Sequence, residues 1–243
     1  MSIAGTPTDL EIDAVFFDAG NTLIFLDHDA VADIVSSHGY PLDGRVLAQK
    51  EVIAKRKYES LLAAGHSHEV GWGAYLLSLL ESAGLPPQIA RGMLLPLRRA
   101  HNAFNLWRKV PPGLTEALAC LKRGGFLLGV ISNSEGRLCD VFERVGLAGF
   151  FDTIVDSHWE GVKKPDPSIF LRAATRLKVE AKRCIYLGDI PGVDIHGAQK
   201  AGMRAVLVDP LNFYPDHHSS PRVLGVPEFV EAFVVGEKRV RFF

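Results

Sequence analysis

The chain has 243 residues, of which 47% are apolar and 23% charged, with a formal net charge of −1. This balance suits a folded protein with a large core; it excludes a disordered chain and offers no basic surface for nucleic acid. The sequence has no apolar run of about 18 residues and no signal-peptide pattern near its start, so it predicts a cytoplasmic protein that does not enter membranes.

Residues 12–17, Ile-Asp-Ala-Val-Phe-Phe, form a short apolar, aromatic-rich stretch that stops on Asp18 and passes at once into Ala-Gly-Asn. That pattern predicts a strand buried on both faces, with Asp18 at the end where open α/β sheets present their ligand-binding groups. Residues 27–110 show long helical periodicity and no convincing strand. Four helices are predicted, over 31–38, 45–63, 73–83 and 88–103, separated by Gly-Tyr-Pro, Ala-Gly-His-Ser-His and Gly-Leu-Pro-Pro breaks. From about 115 onward strands and helices alternate, with strands over 126–131, 153–155, 184–187 and 205–208 and helices over 114–122, 136–145, 167–177 and 194–201. The predicted fold is α/β, a doubly wound parallel sheet formed by residues 1–26 and 111–243. The helical segment 27–110 is inserted into it and expected to stand over the strand ends as a cap. Beyond Asn212, residues 214–221 read as loop and 226–235 as either helix or strand. Cys120, Cys139 and Cys184 are odd in number and lack paired metal-ligand spacing, so free thiols are expected.

Three further polar groups follow apolar runs in the manner of Asp18. The run 128–131 ends at Ser132-Asn133-Ser134, where a hydroxyl and neighbouring N–H groups could hold phosphate oxygens, although such a tripeptide also makes an ordinary turn. Lys163-Lys164-Pro165-Asp166-Pro167 fixes a lysine between a loop and a proline-started helix. Tyr186-Leu187-Gly188-Asp189 is followed by Asp194, and two carboxylates so placed can surround one hard cation; Asp194 could equally be a helix N-cap.

Taken in order, Asp18 with Thr22, Ser132, Lys164-Pro165-Asp166-Pro167, and Gly188-Asp189 with Asp194 resemble the four motifs of the haloacid dehalogenase (HAD) superfamily of phosphohydrolases. The insertion falls where one large branch of that superfamily carries its helical cap. The resemblance implies an Mg²⁺-dependent hydrolase that acts on a small phosphorylated metabolite through an aspartyl-phosphate on Asp18. It implies metal ligation by Asp18, Asp189, Asp194 and the carbonyl of Gly20. Lys164 and Ser132 would act in catalysis, and Thr22, Ser132, Asn133 and Lys164 would lie around the substrate. Cap and core are expected to move relative to each other, because substrate must enter and water must then be controlled.

The chain departs from the family's phosphatases at Gly20, where they carry a second Asp that protonates the leaving group. Loss of such a group costs about 10²- to 10⁴-fold in rate. The alternatives are an acid supplied by Asp27, His28, Asp29, Glu51, Glu59, His66, His68 or Glu69, or a substrate whose leaving group needs little protonation. Two other readings stay open: a phosphonate hydrolase using Lys50, Lys55 or Lys57 to form a Schiff base, and a binding protein that keeps the fold with little turnover. A dehalogenase fits less well, because those enzymes work without Mg²⁺ and depart from the Gly-Asp motif retained here. Gly20 is also expected to loosen its turn.

Overall fold

The structure is a computed structural model, and residues 8–242 are described. The chain begins with β1 (Thr8–Glu11), β2 (Ala14–Phe17) and β3 (Phe25–Leu26), then runs through α1 (His28–Ser37), α2 (Gly44–Ala63), α3 (His68–Ser82) and α4 (Pro87–Ala103). It continues with β4 (Trp107–Lys109), α5 (Leu114–Arg123), β5 (Leu127–Ser132), α6 (Leu138–Arg144), β6 (Thr153–Asp156), α7 (Ser157–Glu160) and α8 (Pro167–Leu177). The remaining elements are β7 (Cys184–Gly188), α9 (His196–Lys200), β8 (Arg204–Val208), β9 (Arg222–Val223), α10 (Val226–Phe233), β10 (Val234–Gly236) and β11 (Arg239–Phe242). Two compact units result: one contains the residues up to Phe25 and from Lys109 onward, and the other spans Leu26–Arg108.

The first unit is built on a six-stranded sheet in the order β6-β5-β2-β7-β8-β9, parallel throughout. Helices lie in the connections from β2 through β8, as parallel pairing usually requires, whereas residues 209–221 join β8 to β9 without one. In β2 every residue is buried, and Phe17 lies level with Val130 of β5 and Leu187 of β7. Three strands therefore end side by side at Asp18, Ser132 and Asp189. One buried cluster joins Phe16, Ile131, Ile169, Phe170, Tyr186 and Leu207 beneath these ends. Gly129 on β5 makes room for Phe16, whose ring would lie 2.5 Å from a Cβ at that position.

The second unit is all helical apart from its ends. Asp27, Asp43 and Ser67 cap α1, α2 and α3 by accepting from Ala30 N, Arg45 N and Val70 N, which satisfies amides the helices cannot pair internally. Val31, Val35, Leu47, Leu76, Leu79 and Leu97 supply its buried cluster. Trp72 and Trp107 pack within this unit: Arg98 lies 3.7 Å over the Trp72 ring, and Trp107 is 5.4 Å from Tyr75.

Several details differ from the sequence expectations. Trp107–Lys109 is a strand, paired with Phe25–Leu26, where residues 27–110 were expected to hold none. Its three residues are too few to show a period. Residues 226–235 divide between helix α10 and strand β10. β1, β11 and β10 form a separate antiparallel sheet in which Arg241 donates to Asp9 at 2.7 Å. The expected helix at 194 begins instead with a π-turn, Pro191–Ile195, and becomes α-helical at His196. No helix among the described residues is long and apolar enough to cross a membrane.

Candidate active site

Lys164 lies in the loop before α8, follows an exposed Lys163, and precedes a cis peptide bond to Pro165. Its side chain is only 2% exposed. Such burial disfavours an ammonium unless carboxylates surround it. Two do: Nζ donates to Asp18 Oδ1 at 2.7 Å and to Asp194 Oδ1 at 2.7 Å. Its third bond goes to the Tyr186 hydroxyl at 2.8 Å. Burial alone would lower the ammonium's pKa, but Asp18 and Asp194 hold it above the ordinary lysine value.

Asn133 fixes the main chain of this lysine. Its Nδ2 donates to Lys164 O at 3.0 Å and its Oδ1 accepts from Lys164 N at 2.9 Å. Both ends of one amide therefore hold the loop to the end of β5. Ser132, buried as the last residue of β5, stands level with Asp156 on β6.

Tyr186 was not among the site residues expected from sequence, because an aromatic inside a strand reads as core. Its ring does pack on Phe170, at 5.0 Å. Its hydroxyl lies 3.0 Å from Ile131 O and 3.1 Å from Asp194 Oδ1, and it donates its single proton to one of them at a time. Burial and the nearby carboxylates push its pKa well above the usual phenol value.

Asp18, Asp189 and Asp194 each have a carboxylate oxygen within 4.8 Å of the others. Asp194 sits in the π-turn, and its Oδ2 accepts from Ile190 N at 2.9 Å; it is therefore not the N-cap of α9. Gly188 makes this placement possible, because a Cβ there would lie 2.5 Å from Asp194 Cγ. Burial raises the Asp18 carboxyl to about 7; Lys164 opposes the rise, and Asp194 and Asp189 add to it.

Three carboxylates and one ammonium leave this buried group with two net negative charges when it is fully ionised. Its donors are all oxygens. Both properties fit a hard divalent cation such as Mg²⁺.

The turn after Asp18 is closely tied. Leu23 N and Ile24 N both donate to Ala19 O at 2.9 Å, and Asn21 N donates to Ile24 O at 2.8 Å. Gly20 forms an isolated bridge with Ile24 through these neighbours' groups, which does not consume its own carbonyl. Thr22 is buried, with its Oγ1 lacking a hydrogen-bond partner among the described residues.

In the helical unit, Asp27 accepts from Arg108 Nε at 2.8 Å, and Tyr75 donates to Glu51 at 3.0 Å. His28 Nε2 lies 3.1 Å from Glu51 Oε2, but the pair is poorly aligned for a hydrogen bond. Asp29 is in the first turn of α1 and His66 precedes α3. Tyr58 bonds His68 at 2.7 Å, and Glu69 lies 3.9 Å from Arg98. Of the three candidate lysines, Lys55 is buried with Glu59 3.9 Å away, whereas Lys50 is half-buried and Lys57 exposed.

A sequence description of the haloacid dehalogenase-like hydrolases matches residues 12–202. The chain belongs to this family. The HAD-like chain is 28% identical over 204 residues to the glyceraldehyde 3-phosphate phosphatase of Pyrococcus furiosus, covering 80% of each. Its identity to the enzyme of that name from Methanothermobacter thermautotrophicus is 32% over 204 residues, 81% of this chain and 85% of the other. In fold it resembles the HAD-hydrolase YfnB from Bacillus subtilis, solved bound to magnesium, with a TM-score of 0.68 at 18% identity over 93% of this chain and 100% of that one.

Proposed function

We propose that this HAD-like hydrolase is an Mg²⁺-dependent phosphatase of a small phosphorylated metabolite, with Asp18 as nucleophile. The observation that carries the reading is the buried Lys164 ammonium, bonded at 2.7 Å to both Asp18 and Asp194 beside a third carboxylate, Asp189. The phosphatase relatives at 28% and 32% identity support phosphate as the group transferred.

A phosphate ester repels an anionic nucleophile, so charge must be offset before Asp18 can approach phosphorus. Mg²⁺, held by Asp18, Asp189, Asp194 and the Gly20 carbonyl, would supply most of that offset. Lys164 supplies the remainder. One Asp18 oxygen attacks in line and forms an aspartyl-phosphate, which water then hydrolyses. Ser132 donates to the transferring phosphoryl group, Asn133 holds the lysine loop, and the buried Thr22 hydroxyl, unpartnered among the described residues, lies beside the substrate. Residues 27–110, inserted after Asp18, are the cap in this reading.

Gly20 cannot protonate a leaving group. Lys164 and Tyr186 hold protons near Asp18, yet both are bonded to the carboxylates rather than placed for release. The reaction therefore favours esters whose leaving group departs as a stable anion.

Phosphate release from an activated aryl phosphate, with Mg²⁺ and with chelator, tests the reading. Activity should require both Mg²⁺ and Asp18 and disappear in Asp18→Asn. No activity in wild type or in Gly20→Asp would overturn it.

A further inference from the structure

Asn21 has a backbone φ of 54°, in the left-handed region that few side chains other than Asn and Asp tolerate. Its N–H closes the turn on Ile24 O, so this conformation is built into the loop that follows the nucleophile. The side chain then crosses to another strand end, where Nδ2 donates to Asp189 Oδ2 at 3.2 Å. One residue thus ties the loop after β2 to the carboxylate that ends β7, across 168 positions of sequence.

We propose that Asn21 is a positioning residue that sets the orientation of the Asp189 carboxylate and thereby the affinity and selectivity of the cation site. The proposal rests on the reading of Asp18, Asp189 and Asp194 as cation ligands. A carboxylate with one oxygen held by an amide N–H presents the other in a fixed direction. Without that bond it can rotate about its own axis and lose its alignment with Asp18 and Asp194. Groups that orient a ligand in this way typically change metal affinity about 10- to 100-fold when removed. Mg²⁺ demands near-ideal octahedral geometry, whereas Ca²⁺ accepts a looser shell. Loss of orientation should therefore weaken Mg²⁺ more than Ca²⁺. General loosening of the fold would weaken both alike.

The test is calorimetric titration of full-length protein with Mg²⁺ and with Ca²⁺, in wild type, Asn21→Gly and Asn21→Asp. Glycine accepts the left-handed backbone and removes only the amide. Aspartate keeps shape and backbone preference and cannot donate to Asp189, but adds a negative charge that raises affinity for both ions, so it is read through the Mg²⁺-to-Ca²⁺ ratio alone. Asn21→Gly should bind Mg²⁺ about 10- to 100-fold more weakly, with a smaller loss for Ca²⁺. Asn21→Asp should move the preference toward Ca²⁺ as well. Thermal melts in chelator show whether each variant is folded, and either variant alone carries the test. Mg²⁺ affinity of Asn21→Gly within about twofold of wild type, or an unchanged Mg²⁺-to-Ca²⁺ ratio in either variant, would overturn the proposal. Failure of wild type itself to bind Mg²⁺ would remove the metal reading of the site, and the proposal with it.

Discussion

Replacing Asp18 with Asn should create a stability difference from wild type that grows with pH when metal is chelated. Asp18 is 13% exposed at its side chain and its carboxyl rises from 3.8 to about 7, with burial as the main cause. Between those two values the native state keeps a proton that the unfolded chain has released. Wild-type stability is consequently lost as pH rises through this window, because ionising Asp18 inside the fold is harder than ionising it in water. A rise of that size corresponds to about 4 kcal/mol in full, and relaxation of the site makes about 2–4 kcal/mol the expected span. Asparagine cannot ionise and resembles the protonated acid in shape. The stability of Asp18→Asn relative to wild type should therefore climb by that amount between about pH 4 and pH 7, then level off. Urea melts followed by circular dichroism, in EDTA and at several pH values, measure it. Saturating Mg²⁺ should flatten the climb by favouring the ionised carboxylate. A difference independent of pH in chelator, or one that shrinks as pH rises, would refute the reasoning.

Lys164→Met should destabilise the chelated protein by about 3–5 kcal/mol near neutral pH, since it strands Asp18 and Asp194 without their shared cation. The same melts should show a smaller loss near pH 4.5, where Asp18 is protonated. Gly188→Ala drives a methyl group toward Asp194 Cγ, 2.5 Å from the ideal Cβ position. It should cost about 1–3 kcal/mol in urea and weaken Mg²⁺ binding in calorimetry, because Asp194 has to give way. Gly20→Asp should accelerate hydrolysis of alkyl phosphates by up to about 10²- to 10⁴-fold, with little change for nitrophenyl phosphate. Comparing the two substrates at saturating Mg²⁺ isolates leaving-group protonation; equal effects on both would count against that role.

The strand ends were legible because each buried strand is a short apolar run that stops on a polar residue, as Phe17-Asp18, Ile131-Ser132 and Gly188-Asp189 all do. The residues between those landmarks were less so. Tyr186 satisfies the strand pattern through its ring, and nothing in the local sequence reveals that its hydroxyl lies 2.8 Å from a lysine. Asn21 reads as turn-forming, and its bond to Asp189 depends on how β2 and β7 pair. Gly20 was expected to loosen its turn, yet Ala19, Asn21 and Ile24 tie the backbone around it. Asp194 could be read from sequence as a helix cap, and the π-turn that carries it removes that reading, because its Oδ2 accepts from Ile190 N instead. The strand over Trp107–Lys109 was missed because three residues carry too little pattern, and β1 and β11 because four-residue strands rich in charged side chains have no apolar run.

The saturation of the Lys164 ammonium has a consequence for how an anion can enter. All three of its N–H groups point at partners already in place, so a phosphoryl oxygen gains one only by exchange. Asp194 is 1% exposed and anchored by its other oxygen to Ile190 N. Asp18, at 13% exposed, is nearer to solvent. The exchange then falls on Asp18: if Asp18 is the nucleophile proposed above, an arriving phosphate would take over the donor that its Oδ1 holds and leave that oxygen free to attack.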